Sequence, residues 1–275
     1  MGITFAKAPL VELITELRWV PQGSTALEPA AAPQQSILPT VFFGGTKQEE
    51  FYMRLGGALH KSGFNRSERL SPAGMPFVLH QPVYRFRSEA EETASVIYQV
   101  GYGVFSIHAI PPYHSWAKFF PFVKAGIEVL LESRLDADAK QPFTQATLRY
   151  IDFFGEELMQ GRDIPAFMSQ IFGISMTLPV ALAKAAASKE VKSLLTKVVV
   201  PIEIGDLTLS AGDGKFNNQP GILLDTIASS GAEIVPSLDA IMKIFESAYS
   251  VIHKLFLEIT KPIHELMKPQ GADGK

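Results

Sequence analysis

The sequence contains no cysteine in 275 residues, which excludes a disulfide framework, thiolate zinc sites and a cysteine nucleophile. A reducing cytoplasm is the expected compartment. Charge of one sign is also lacking: 25 Lys and Arg stand against 28 Asp and Glu, for a net charge of −3. The basic residues are interleaved with acids, so neither a global attraction to nucleic acid nor a local basic patch is expected. Long clean apolar runs are missing as well. The most apolar window, residues 164–183, is broken by Pro165, Ser169, Gln170, Gly173 and Pro179, which makes it a poor membrane span. It reads as a short helix running into a strand, and no membrane partner is expected. The opening residues lack the basic, apolar and small-residue order of a signal peptide, and Ala6 departs from the myristoylation pattern.

Familiar catalytic signatures are absent too. There is no G-x-x-x-x-G-K-[ST] phosphate loop, no G-x-S-x-G elbow and no H-E-x-x-H helix. Gly101-x-Gly103 lacks the third glycine and following helix of a dinucleotide fingerprint, so it reads as a hairpin tip. The six histidines include no pair at metal-ligand spacing, His108 and His114 being the nearest approach. No metal and no cofactor are expected.

What is present is a chain that is 47% hydrophobic, enough for a full core. Residues 9–19 alternate, with Val11, Leu13, Leu17 and Trp19 opposing Glu12, Ile14, Glu16 and Arg18, the pattern of a half-buried strand. Residues 21–45 are rich in Pro, Ala, Gln and Gly, and predict a long loop. Phe51, Leu55, Ala58 and Leu59 recur at helical spacing before Gly63. Strands follow at 64–70, 77–87 and 96–110. Ser115 then caps a helix striped by Trp116, Phe120, Val123, Ile127 and Leu130, which Pro121 either starts or kinks. Another strand spans 143–154. Beyond a boundary at 155–161, strands are predicted at 197–204, 207–210 and 221–228, with Asp213-Gly214 as a hairpin turn.

The closing helix, 237–260, carries Leu238, Ile241, Phe245, Ala248, Ile252, Leu255 and Ile259 at alternating three and four spacing. Ile244, Val251 and Phe256 widen that seam, which favours packing on the protein's own sheet over a coiled coil. A homodimer through the remaining flank stays open, and His253 reads as a residue sealing the core edge. The expected class is α+β, with antiparallel sheets each packed by a long helix in two similar halves. The expected domains are 1–160, an N-terminal sheet plus helices, and 161–275, a smaller sheet plus the long helix.

Strand parity gives the candidate site. Glu12, Glu16 and Arg18 share the polar side of the first strand, Ser106 and His108 face alike on the hairpin, and Thr147 and Arg149 face alike near residue 150. If these strands are neighbours, Glu12, Glu16, Arg18, His108 and Arg149 form a mixed-charge patch for a polar ligand. The plainer reading is a solvated sheet face stitched by cross-strand ion pairs. Tyr113, His114 and Trp116 form an aromatic cluster that could stack on a ring but more simply anchors a corner.

Ala8-Pro9-Leu10-Val11-Glu12 with Glu16-Leu17-Arg18-Trp19, then Ile110-Pro111-Pro112-Tyr113 with Ser115-Trp116, then Leu148-Arg149-Tyr150-Ile151-Asp152, resemble a sporadically distributed, uncharacterised bacterial protein family. His253, Phe256, Ile259 and Thr260 resemble its closing helix, while His108 and Asp152 stand where that family leads one to expect asparagine. The resemblance implies no reaction or site residue, and only a setting in mobile elements or defence. The expected function is a cytoplasmic, non-enzymatic binding or regulatory module for a protein or a small polar ligand. The alternative is an enzyme acting on a small polar or phosphorylated substrate, with Arg18 and Arg149 as anion clamps and Glu12 or Glu16 as base.

Overall fold

The computed structural model describes residues 3–21, 41–42, 46–72, 74–112, 115–188, 191 and 193–270. Most of the predicted 21–45 loop, together with Tyr113 and His114, lies outside them. Strands are β1 (Thr4–Phe5), β2 (Leu10–Arg18), β3 (Val41–Phe42), β4 (Arg66–Arg69), β5 (Phe77–Val78), β6 (Pro82–Arg87), β7 (Val96–Gly101), β8 (Val104–Ala109), β9 (Gln145–Phe154), β10 (Leu195–Ile202), β11 (Gly205–Phe216), β12 (Gln219–Ser230) and β13 (Pro269–Gln270). Helices are α1 (Thr46–Lys61), α2 (Trp116–Ser133), α3 (Asp136–Ala139), α4 (Glu156–Met159), α5 (Ile164–Gln170), α6 (Val180–Ala185), α7 (Leu238–Thr260) and α8 (His264–Met267). The main antiparallel sheet has the order β10-β11-β12-β9-β2-β8-β7-β6-β4. The protein is α+β, and the long helix packs on the sheet.

The chain groups into two compact units, each built from separated segments. The first holds Leu13–Leu148 with Ser229–Ala248, and the second holds Met1–Glu12, Arg149–Ala228 and Tyr249–Lys275. The boundary at 155–161 read from the sequence is not among the breaks between them.

In the first unit the alternation of β2 buries Leu13, Thr15 and Leu17 and leaves Ile14, Glu16 and Arg18 half-buried, as a strand period of two requires. β8 pairs with β2 so that Thr15 faces Ile107 and Leu17 faces Phe105. α2 closes over these strands. Ser115 caps it by accepting the Lys118 N–H at 3.3 Å, Pro121 lies within it, and the Tyr98 hydroxyl donates to the Phe122 carbonyl at 2.9 Å. A Cβ on Gly126 would stand 2.4 Å from the Tyr98 ring, so only glycine lets the helix come this close. At the C-terminal end of α2, buried Arg134 lies over the rings of Trp19 and Phe143 and donates to the Gln141 carbonyl. Burial lowers its pKa to about 10. The predicted strand 77–87 is interrupted where His80 takes a positive φ and its N–H bonds the Tyr102 carbonyl. Ile241, Met242, Phe245 and Ala248 of α7 are buried.

The second unit has its own core, in which Phe154, Phe167 and Phe172 pack ring to ring with Ile222, Leu224, Ile263 and Met267 around them. Two local expectations are corrected here. Residues 164–183 do not run into a strand: α5, capped by Asp163, is followed by a second short helix, α6, entered through Pro179 and rich in alanine, a residue with high helix propensity. The hairpin turn between β11 and β12 falls at Asn217 and Asn218, both at positive φ, and not at Asp213-Gly214. A type I′ hairpin turn needs left-handed backbone at both positions, which asparagine tolerates. Asp213 sits inside β11, and its carboxylate accepts from the Ser193 hydroxyl and the Leu194 N–H, each at 2.8 Å.

Candidate ligand-binding cleft

The five residues read from strand parity divide between the units. Glu16, Arg18 and His108 belong to the first. Arg18 donates through Nε to Glu16 Oε1 at 2.6 Å, so these two charges already pair along one side of β2. Register sets Ile14 opposite His108 and Glu16 opposite Ser106. Ser106 and His108 are buried and hydrogen-bonded to each other at 2.9 Å, so this stretch of the face is covered and not solvated.

Glu12 and Arg149 belong to the second unit. Arg149 grips Asp225 with two bonds, Nε to Oδ1 and Nη2 to Oδ2, both 2.8 Å. Glu12 lies half-buried on β2, and Arg149 half-buried on β9. Near it, Asp152 is 3% exposed. Burial, then the charge of Asp225, raises its pKa to about 7.

A more enclosed arrangement lies in the first unit, where α1 crosses β4 and β6. The helix buries Phe51, Leu55 and Leu59 on one stripe. The next stripe, Glu49, Tyr52, Met53, Gly56, Gly57 and His60, follows the three-and-four spacing of a second helix face. It lines a cavity of about 270 Å³ together with Phe64, Asn65, Ser67, Tyr84 and Phe86. The adjacent glycines create the space. A Cβ on Gly56 would press on the Phe86 ring at 3.1 Å, whereas one on Gly57 would meet nothing within 4 Å.

The walls are aromatic and the polar groups few. Tyr52 and Tyr84 rings lie 5.4 Å apart, and Tyr84 and Phe86 are stacked at 6.5 Å. Glu49 accepts from the Tyr84 hydroxyl at 3.5 Å and has Arg69 Nη2 at 4.0 Å. Tyr52 is 3% exposed, and its hydroxyl is buried without a hydrogen-bond partner. Burial, reinforced by Glu49, raises its pKa, so the phenol stays neutral and keeps its O–H to donate. No family model matches the chain. A search of curated proteins finds no match either.

The sequence reading of α1 followed its core stripe and passed over this one. The available signal was Gly56-Gly57 in mid-helix, where each glycine costs roughly 0.5–1 kcal/mol relative to alanine. Two such costs side by side mark a place where side chains are unwanted.

Proposed function

We propose that the protein is a non-catalytic binding module whose α1–β6 cleft takes a small planar molecule the size of a nucleobase. The observation that carries this reading is the cavity itself, walled by the Tyr52, Tyr84 and Phe86 rings with Glu49 at its edge. Glu49 offers an acceptor, so the ligand carries a donor on its edge and an apolar face for Tyr84 and Phe86. The volume lies just under the roughly 300–1,000 Å³ of drug-sized pockets, which fits a fragment-sized guest. Among the described residues no helix is long and apolar enough to cross a membrane. The cysteine-free composition supports a cytoplasmic setting, and the family resemblance alone supports a link to defence or mobile elements.

The test is a thermal-shift and calorimetric panel of free purines, pyrimidines and aromatic amines, with a hydrocarbon of equal size as the control. Saturable binding by a heterocycle, weak binding by the hydrocarbon and loss of binding in Gly57→Leu are expected. Gly57 faces open space, so that variant fills the cleft without disturbing the fold. Equal binding to wild type and Gly57→Leu would move the ligand elsewhere.

A further inference from the structure

Among the described residues, β10 ends the main sheet and has a neighbour, β11, on one side only. It is also apolar and bare: Leu195 is 78% exposed and Val199 53%, with Val198 and Val200 nearly as open. Exposed sheet edges are templates for another strand, and since β10 also carries Lys197 and Pro201, residues that discourage indiscriminate edge pairing, a partner strand must accommodate both.

The ladder fixes which groups are on offer. The Asp213 N–H bonds the Leu194 carbonyl, and antiparallel bonds alternate. Thr196, Val198, Val200 and Ile202 therefore bond inward to Ala211, Leu209, Leu207 and Gly205, their register partners. Lys197 and Val199 present free-side N–H and carbonyl groups outward, while Pro201 offers only a carbonyl, the arrangement a strand proline tolerates at an edge.

We infer that β10 is a homodimer interface, pairing antiparallel with β10 of a second copy about Val199. Charge and strand overlap together select the register, since centring on Val200 would set Lys197 opposite Glu203 but pair only residues 198–202 of the strand. Centring on Lys197 would set two lysines directly opposite, and centring on Val198 would bring them together on the diagonal, both unfavourable. Centring on Val199 separates them. Lys197 then donates its N–H to the carbonyl of Pro201 of the second copy and lies diagonal to that copy's Glu203. Val198 meets Val200 of the second copy on the other face. The strand is thus complementary to itself in charge and in apolar surface. A single strand pair buries little area compared with the 1,200–2,000 Å² of stable interfaces, so the dimer is concentration-dependent.

Sedimentation of the full chain across roughly 1 to 300 μM tests this. The mass is expected to rise from 30.1 kDa toward twice that value, and Val199→Lys is expected to hold it at the monomer with unchanged circular dichroism. Because the chain has no cysteine, Val199→Cys provides a second readout, expected to form a disulfide-linked dimer on mild oxidation while Lys215→Cys does not. A monomer at 300 μM overturns the inference. So does a dimer that survives Val199→Lys or that Val199→Cys fails to cross-link.

Discussion

A phenol hydroxyl buried without a partner costs roughly 1–3 kcal/mol, and Tyr52 holds one. Tyr52→Phe should therefore raise the denaturant midpoint, by the equivalent of about 1 kcal/mol. A drop in stability would mean that the hydroxyl is already satisfied. Asp152 makes a second residue-scale case. Its folded pKa of about 7 lies above the ordinary carboxylate value because it is buried near Asp225. A raised folded pKa means that the native state holds the proton more tightly. The contribution is complete below about pH 4, declines as pH rises and is gone above about pH 7. Asp152→Asn should flatten that slope and make the protein more stable than wild type at pH 8, by on the order of 2–4 kcal/mol. Urea melts at pH 5 and pH 8 decide it, and identical slopes for both proteins would contradict the account.

At the scale of elements, α1 trades stability for space. Gly57→Ala points into open volume and should raise helix stability by about 0.5–1 kcal/mol, measurable as a shift in thermal midpoint. A loss would show that the position is filled. α7 makes the opposite case, because Ile252 is 1% exposed and packed in the second unit. Ile252→Glu buries an unpaired charge and should cost at least about 3 kcal/mol. A folded, stable Ile252→Glu protein in circular dichroism would return α7 to the coiled-coil reading. The stripes of α2 and α7 and the alternation of β2 were legible because burial repeats with the period of the element. The β11–β12 turn was misplaced because Asp-Gly is the commoner type I′ signal, yet Asp213 is engaged by Ser193 and Leu194. α6 was misread because a short, exposed, alanine-rich helix has no amphipathic period to detect.

For the molecule as a whole, the α+β class and the antiparallel sheet followed from the order of strand and helix signals. The grouping into two units built from separated segments did not, since segment pairing at long range leaves no local pattern. Parity says which residues share one strand's face but not which faces meet, and the five residues of the charged patch divide between those units, Glu16, Arg18 and His108 in one and Glu12 and Arg149 in the other. The cleft depends on the same kind of long-range fact: Gly56-Gly57 marks a place on α1 where side chains are unwanted, but not that β6 lies across it. The central claim is that this cleft binds a planar ligand, and amide chemical-shift mapping of labelled protein with the best heterocycle from the panel tests it directly. Saturable shifts centred on Gly56, Gly57, Asn65 and Ser67, and abolished in Gly57→Leu, are expected. Shifts confined to other regions, or shifts that persist in that variant, would contradict the claim.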